Sequence, residues 1–302
     1  MRRNEINAGG TIGVAWEPDQ GAEQYVVVLG GSGGGIPEGL AERLSEHGLS
    51  AFALGYFGAP DLSSTLVEIP VESVRRGIVL YRERYAGGRP VAVLGVSKGA
   101  ELALILASHI EGIGSVVAVV PSCVAWYGLD FADLTAMTRP SWTWQGAPLP
   151  FLPLAPGAMP VFTDAGLRTD GCYDLDRYAP SDVEAARIPV ERAQGPILLL
   201  AGADDHMWPS ALMADRIVRC MDAHGRAEHV NSVVYTGAGH AFLTREILPA
   251  QAARTFDFGG SVEADCRAAD DAWRRIFTFL KAVPMAVGSA AQRDRGHGRV
   301  AS

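Results

Sequence analysis

Cysteine is scarce in this chain of 302 residues, and its scarcity excludes two classes of protein. The four present, Cys123, Cys172, Cys220 and Cys266, show no CxxC or other metal-ligand spacing, and four in so long a chain make no disulfide framework. A reducing cytoplasm is the expected setting, with no metal and no cofactor. Positive charge is also short: the formal net charge is −8, so the field of the whole molecule does not favour nucleic acid or an anionic membrane surface. Long hydrophobic runs are missing too. No uninterrupted apolar stretch approaches membrane-spanning length, and the opening MRRNEINAGGTIGVAWEPDQ carries basic residues without the apolar centre of a signal peptide. The chain is therefore expected to be soluble and unexported, with no nucleic-acid or membrane partner. Its oligomeric state leaves no trace in the sequence.

What is abundant is apolar material, 48% of the residues, enough to fill one large core. Apolar runs bounded by Gly and Pro alternate with segments of helical period, the pattern of a mostly parallel sheet covered by helices on both faces. Strands are expected at Thr11–Trp16, Tyr25–Gly30, Ser50–Leu54, Val91–Gly95, Ser115–Pro121, Ile197–Gly202 and Val230–Tyr235. Helices are expected at Pro37–His47, Val71–Tyr85, Ser97–His109, Ser210–His224 and Ala268–Lys281. The rhythm breaks between Ala125 and Arg187, where SWTWQGAPLPFLPLAPGAMP shows no period; a long irregular insertion of this kind often lines or covers a site. One domain over residues 1–284 is expected, with insertion 125–187 over the site and a small, polar, disordered tail at 285–302.

The segment VAVLGVSKGAELALILASHI, residues 91–110, passes from strand to helix across Gly95-Val96-Ser97-Lys98-Gly99. A serine on such a sharp turn needs small residues two positions before and after it, which makes Ser97 a candidate nucleophile. The helix beginning there would aim free N–H groups at a developing oxyanion. Gly30-Gly31-Ser32-Gly33-Gly34 matches the same pattern. A nucleophile at Ser32, however, would have no upstream loop to serve it. Gly30–Gly35 is better suited to presenting backbone N–H groups: the Ser32 amide is the leading oxyanion donor, with Gly31 beside it and the Lys98 amide as partner. A phosphate-binding role for this loop lacks both a GKS/GKT ending and the third glycine of G-x-G-x-x-G.

Serine needs a base, and the base needs a carboxylate to orient it. LLLAGADDHMWPS places Asp204 and Asp205 just beyond a strand, and VVYTGAGHAF places His240 in a Gly-rich turn beyond the next. The order Ser, Asp, His fits the turn already found. His206 is the rival base, although it adjoins the candidate acid in sequence. Pattern alone leaves Asp204 and Asp205 undivided.

From about Gly10 to Lys281 the chain resembles the C-terminal catalytic domain of the acyl-CoA thioesterase and bile acid-CoA:amino acid N-acyltransferase family, a relative of the dienelactone hydrolases. The matching stretches are LGGSGGGIPE at 29–38, the run from Ala51 to Glu72, GVSKGAELAL at 95–104, SWTWQGAPLPFLP at 141–153, IPVERAQGPILLLAGADDHMWPS at 188–210 and GAGHAF at 237–242. The resemblance implies an α/β-hydrolase fold, a nucleophile at Ser97, the acid at Asp205, three residues after Gly202, and the base at His240. Animal members carry an N-terminal β-sandwich domain. About two dozen residues precede Tyr25, where the apparent core begins, so that domain's functions are expected to be absent. Serine in place of the transferases' cysteine shifts the expectation toward hydrolysis.

The expected reaction is cleavage of a small-molecule acyl thioester, on coenzyme A or an acyl carrier protein, through an acyl-serine. Hydrolysis of a carboxylester or lactone, and transfer of the acyl group to an amine or alcohol, are the alternatives. The acyl pocket is expected among Tyr56, Phe57, Trp142, Trp144, Phe151 and Trp208. Against this, aromatics in Pro-rich insertions more often pack the insertion down. Arg75, Arg76, Arg82, Arg84 and Arg89 fit a solvated helix face and its following loop, and recognition of coenzyme A is implied by the resemblance alone.

Overall fold

The computed structural model describes residues 1–283, so the tail expected at 285–302 lies outside the described residues. An eight-stranded sheet forms the centre: β1 (Arg2–Ala8), β2 (Thr11–Glu17), β3 (Tyr25–Leu29), β4 (Ser50–Gly55), β5 (Val91–Val96), β6 (Ile113–Val119), β7 (Ile197–Gly202) and β8 (Val230–Tyr235). The spatial order is β1-β2-β4-β3-β5-β6-β7-β8. β2 pairs antiparallel with both β1 and β4, and every other neighbouring pair is parallel. All seven expected strands are present within two residues of their expected bounds. The unexpected one is β1, RRNEINA, an edge strand in which only Ile6 is buried. It shows no apolar alternation because it is held by its backbone pairing to β2 rather than by a buried face.

Five long helices flank the sheet: α1 (Glu38–Glu46), α2 (Val71–Arg84), α3 (Lys98–His109), α4 (Ser210–Ala223) and α5 (Val262–Ala282). Because successive strand residues point to opposite faces, the core divides in two. Val27, Leu29, Val93, Val116, Leu199 and Ala201 join the buried residues of α2, α3 and α4. Val26, Val28, Leu94, Val117, Leu198 and Leu200 face α1 and α5. α5 begins six residues before its expected start, because the Ser261 hydroxyl accepts from the Ala264 N–H and caps it there. No helix among the described residues is long and apolar enough to cross a membrane.

The insertion is irregular, as expected, but tightly seated. Its strand Trp142–Trp144 extends Ile69–Pro70 into a small three-stranded sheet with Ala147–Pro148, and Val161–Thr163 pairs with Gly166–Arg168 as a hairpin. Trp126 and Tyr127 are fully buried at its root. Tyr173 meets Trp208 edge-on, with ring centroids 5.5 Å apart, and so brings the insertion to the loop after β7. The loops following β3, β5, β7 and β8 all leave from the C-terminal edge of the sheet, where α/β folds place their sites.

Candidate active site

Between β5 and α3, Ser97 adopts φ 57° and ψ −121°, a conformation that costs a residue with a side chain of order 1–3 kcal/mol. Close backbone approach is what demands glycine on either side. A Cβ on Gly95 would stand 2.1 Å from the Gly99 carbonyl oxygen, and one on Gly99 would stand 2.3 Å from the carbonyl oxygens of both Leu29 and Gly30. The turn is held by the Ser97 N–H donating to Val119 O at 3.0 Å, while the Ser97 carbonyl accepts from Ala100 and Glu101 to start α3.

His240 faces this serine, with Nε2 2.9 Å from Ser97 Oγ and Nδ1 2.9 Å from each Asp205 carboxylate oxygen. All three residues are buried. Asp205 Oδ1 also accepts from the N–H groups of Met207 and Trp208, which fixes the carboxylate after β7. The His240 N–H donates to Phe258 O at 2.7 Å, tying the turn after β8 to the segment before α5. Trp208 meets the imidazole edge-on at 5.7 Å and donates its indole N–H to Val120 O, on a residue held at φ 44°.

Of the two adjacent aspartates, then, Asp205 is the one beside His240. Asp204 turns outward, accepting from the Gly260 N–H and lying 3.2 Å from His206 Nε2. The His206 ring occupies the space between Asp204 and Asp257, with Nδ1 3.0 Å from Asp257 Oδ1. The rival base is thereby engaged away from Ser97.

The Gly30–Gly35 loop lies alongside the serine: a Cβ on Gly31 would be 3.3 Å from Ser97 Cβ. The loop folds on itself through Gly34 N–H donating to Gly31 O, and Gly35 N–H donates to Phe57 O. Among the described residues, the N–H groups of Ser32 and Lys98 make no hydrogen bond and remain available to an anion.

The pocket aromatics are distributed otherwise than expected. The buried Tyr56 hydroxyl donates to Gly30 O at 2.6 Å, and Phe57 lies under Gly34, so both brace the glycine loop. Trp142 is 1% exposed and donates its indole N–H to Glu101 at 2.6 Å. Trp144 stands apart from the site. Its ring lies 5.6 Å from His109, the last residue of α3, whereas Ser97 precedes the first; a helix of this length spans about 18 Å.

Glu101, fully buried, is the feature that sequence reading passed over. Its carboxylate takes Lys98 Nζ at 2.9 and 3.0 Å, the Trp126 N–H at 3.1 Å and the Trp142 indole. Burial draws both members of the pair toward neutrality, Lys98 downward and Glu101 upward, against the attraction between them. A base and an acid three apart in the otherwise apolar KGAELALIL stretch were the available signal.

Set beside known proteins, residues 79–283 match the profile of the family described as BAAT / Acyl-CoA thioester hydrolase C terminal. Human acyl-coenzyme A thioesterase 1 is 30% identical over 292 residues, covering 93% of this chain and 65% of the relative. Human mitochondrial acyl-coenzyme A thioesterase 2 is also 30% identical over 292 residues, covering 93% and 56%. The mouse peroxisomal succinyl-coenzyme A thioesterase is 29% identical over 271 residues, covering 87% and 61%. The chain thus spans less than two thirds of the length of these relatives. In structure it is similar to a putative dienelactone hydrolase from Klebsiella pneumoniae, with a TM-score of 0.56, 17% identity and coverage of 93% of this chain and 98% of that one. A monoacylglycerol lipase from Paleococcus ferrophilus gives a TM-score of 0.53 and 17% identity, covering 94% and 100%. These two likenesses bear on the fold alone, and the fold is that of the α/β-hydrolases. By its sequence match over the larger part of its length, the chain belongs to the BAAT / acyl-CoA thioester hydrolase C-terminal family.

Proposed function

We propose that this chain hydrolyses acyl thioesters, with Ser97 as nucleophile, His240 as base and Asp205 as the orienting acid. The observation that carries the reading is the pair of contacts made by one imidazole, 2.9 Å to Ser97 Oγ on one nitrogen and 2.9 Å to Asp205 on the other. Nε2 takes the Oγ proton as Oγ adds to the thioester carbonyl carbon, and the proton on Nδ1 stays shared with Asp205. The N–H groups of Ser32 and Lys98, with Gly31 beside them, receive the oxyanion. Collapse breaks the carbon–sulfur bond, and the thiol leaves with the proton from Nε2. Water then gives a proton to Nε2 and adds to the acyl-serine carbonyl, after which Oγ leaves, recovers that proton and frees the carboxylic acid.

The acyl-CoA form of the thioester is supported by family membership and by the three relatives, each an acyl- or succinyl-coenzyme A thioesterase. An acyl carrier protein as donor has no comparable support and enters only as an arm of the test. All four cysteines are free, which suits the reducing cytoplasm in which we place the reaction. The experiment is to incubate the protein with acyl-CoA, acyl carrier protein and simple ester donors and locate the acyl adduct by mass spectrometry. Single turnovers follow, with and without amines and alcohols. An adduct on Ser97, hydrolysed at one rate whatever acceptor is added, is the expected result. An adduct that persists in water and collapses only onto a particular acceptor would make the protein a transferase.

A further inference from the structure

Against the turn that carries His240 lies a buried carboxylate that the proposed mechanism does not use. Asp265 stands in the first turn of α5 and is 1% exposed, at the end of the helix where free N–H groups favour negative charge. Its Oδ1 accepts from the Gly239 N–H at 2.8 Å, on the residue before His240. Its Oδ2 takes the Arg245 guanidinium, five residues after His240. One carboxylate therefore grips the chain on both sides of the candidate base.

The chain reaches His240 through Gly237-Ala238-Gly239, which has no side chain larger than a methyl to anchor it. Its course has to be set by backbone hydrogen bonds. Ser261 N–H donates to Gly237 O at 3.2 Å, Asp204 N–H to Ala238 O at 3.0 Å and His240 N–H to Phe258 O at 2.7 Å. These are bonds between neutral groups, whereas the one from Gly239 ends on a carboxylate and belongs to a class roughly twice as strong. The fit has no slack: a Cβ on Gly260 would stand 2.2 Å from Gly239 N and 2.6 Å from Asp265 Oδ1. Arg245, its side chain 36% exposed, supplies the countercharge that a carboxylate so deeply buried needs.

We propose that Asp265 is a positioning residue for the base. By holding Gly239 it sets the imidazole of His240 at the distance from Ser97 and Asp205 that proton transfer requires. The assignment rests on the thioesterase reading, and it adds the first turn of α5 to the parts of the fold on which that chemistry depends. A carboxylate that only capped α5 or paired with Arg245 would be replaced well by glutamate and poorly by asparagine. One that places Gly239 behaves in the opposite way: asparagine keeps an oxygen where the Gly239 N–H points, whereas glutamate keeps the charge and shifts the oxygen by the length of a methylene.

The test compares Asp265→Ala, Asp265→Asn and Asp265→Glu in the full chain with dodecanoyl-CoA. Glu263→Gln is the control, on a side chain of α5 that is 84% exposed and pairs with Arg267 of the same helix. Asp265→Ala and Asp265→Glu are expected to lower kcat about 100-fold with KM near the wild-type value, the scale on which a misplacement of about 1 Å acts. Asp265→Asn should stay within about tenfold of wild type, and the control should match it. In parallel, heteronuclear NMR of the imidazole nitrogens, with His240 assigned from His240→Gln, should show its Nδ1–H tautomer kept in Asp265→Asn and averaged in Asp265→Ala and Asp265→Glu. Should Asp265→Ala fail to fold, the ranking of Asp265→Asn against Asp265→Glu carries the test. Wild-type kcat in Asp265→Ala, or Asp265→Glu more active than Asp265→Asn, would overturn the assignment. If the wild type hydrolyses no thioester, the thioesterase reading falls, and the His240 resonances still decide whether Asp265 places the imidazole.

Discussion

Gly99 serves two close approaches that alanine could not. Its α-carbon rests against the carbonyls ending β3, and its own carbonyl lies against Gly95, so Gly99→Ala is expected to displace Ser97 and the glycine loop together. Such crowding is why Ser97 could be read from sequence: the constraint is local and written in residue type. His240 was legible for the same reason, standing in a glycine-punctuated turn after a strand. The division between Asp204 and Asp205 was not, because it depends on which carboxylate the loop after β7 turns inward. Ser97→Ala is expected to abolish turnover while Ser32→Ala keeps most of it, since the proposed mechanism uses only the Ser32 amide; steady-state rates on folded protein decide this. Asp205→Asn should lower kcat by about four orders of magnitude through loss of the correct imidazole tautomer. Asp204→Asn should cost far less, and the reverse ranking would move the acid by one residue.

The elements most legible in sequence were those whose period comes from burial. Strands β3 to β7 and helices α1 to α4 fall close to their expected bounds because each helix must take one face, and each of these strands both, out of water. β1 escaped notice because its one buried residue, Ile6, makes no pattern, and the insertion resisted because its order comes from single contacts. The Glu101 carboxylate is the hub of those contacts, receiving the insertion at Trp126 and Trp142 while holding Lys98 at the start of α3. Trp142→Phe keeps the ring and removes the donor, leaving a buried carboxylate oxygen short of a partner. A loss of about 1–3 kcal/mol in denaturant unfolding is expected. Stability equal to the wild type would mean that the indole contact contributes nothing to seating the insertion.

At the scale of the whole molecule, the return from the insertion to the sheet is held by charge. Arg187, at the insertion's end, donates to Glu184 and to both carboxylate oxygens of Glu191, and Glu191 approaches Cys220 on α4. Burial, the largest single effect, pushes the Glu191 carboxyl up, but the hydrogen bonds and charge of Arg187, its own backbone N–H and the Cys220 thiol together outweigh it and hold the group down at about 2. A carboxyl lowered in the folded state stabilises above the ordinary glutamate range, and that contribution is lost as pH falls through the folded value. Glu191→Gln should therefore lower the melting temperature near neutrality and flatten its decline between about pH 4 and pH 2. A parallel decline in variant and wild type would remove Glu191 from the acid response.

The buried Lys98 has a further consequence, because Lys98 and Lys281 are the only lysines in the chain. Lys281 keeps a side chain 41% exposed, whereas that of Lys98 is 2% exposed and shielded by Glu101. An amine-directed reagent such as acetic anhydride should thus modify the α-amino group and Lys281 of the native protein within minutes and leave Lys98 unmodified. Acetylation at Lys98, followed by peptide mass spectrometry, then becomes a clock for the opening of the turn that carries Ser97. Its rate should rise in Trp142→Phe and stay at the native value in Glu263→Gln.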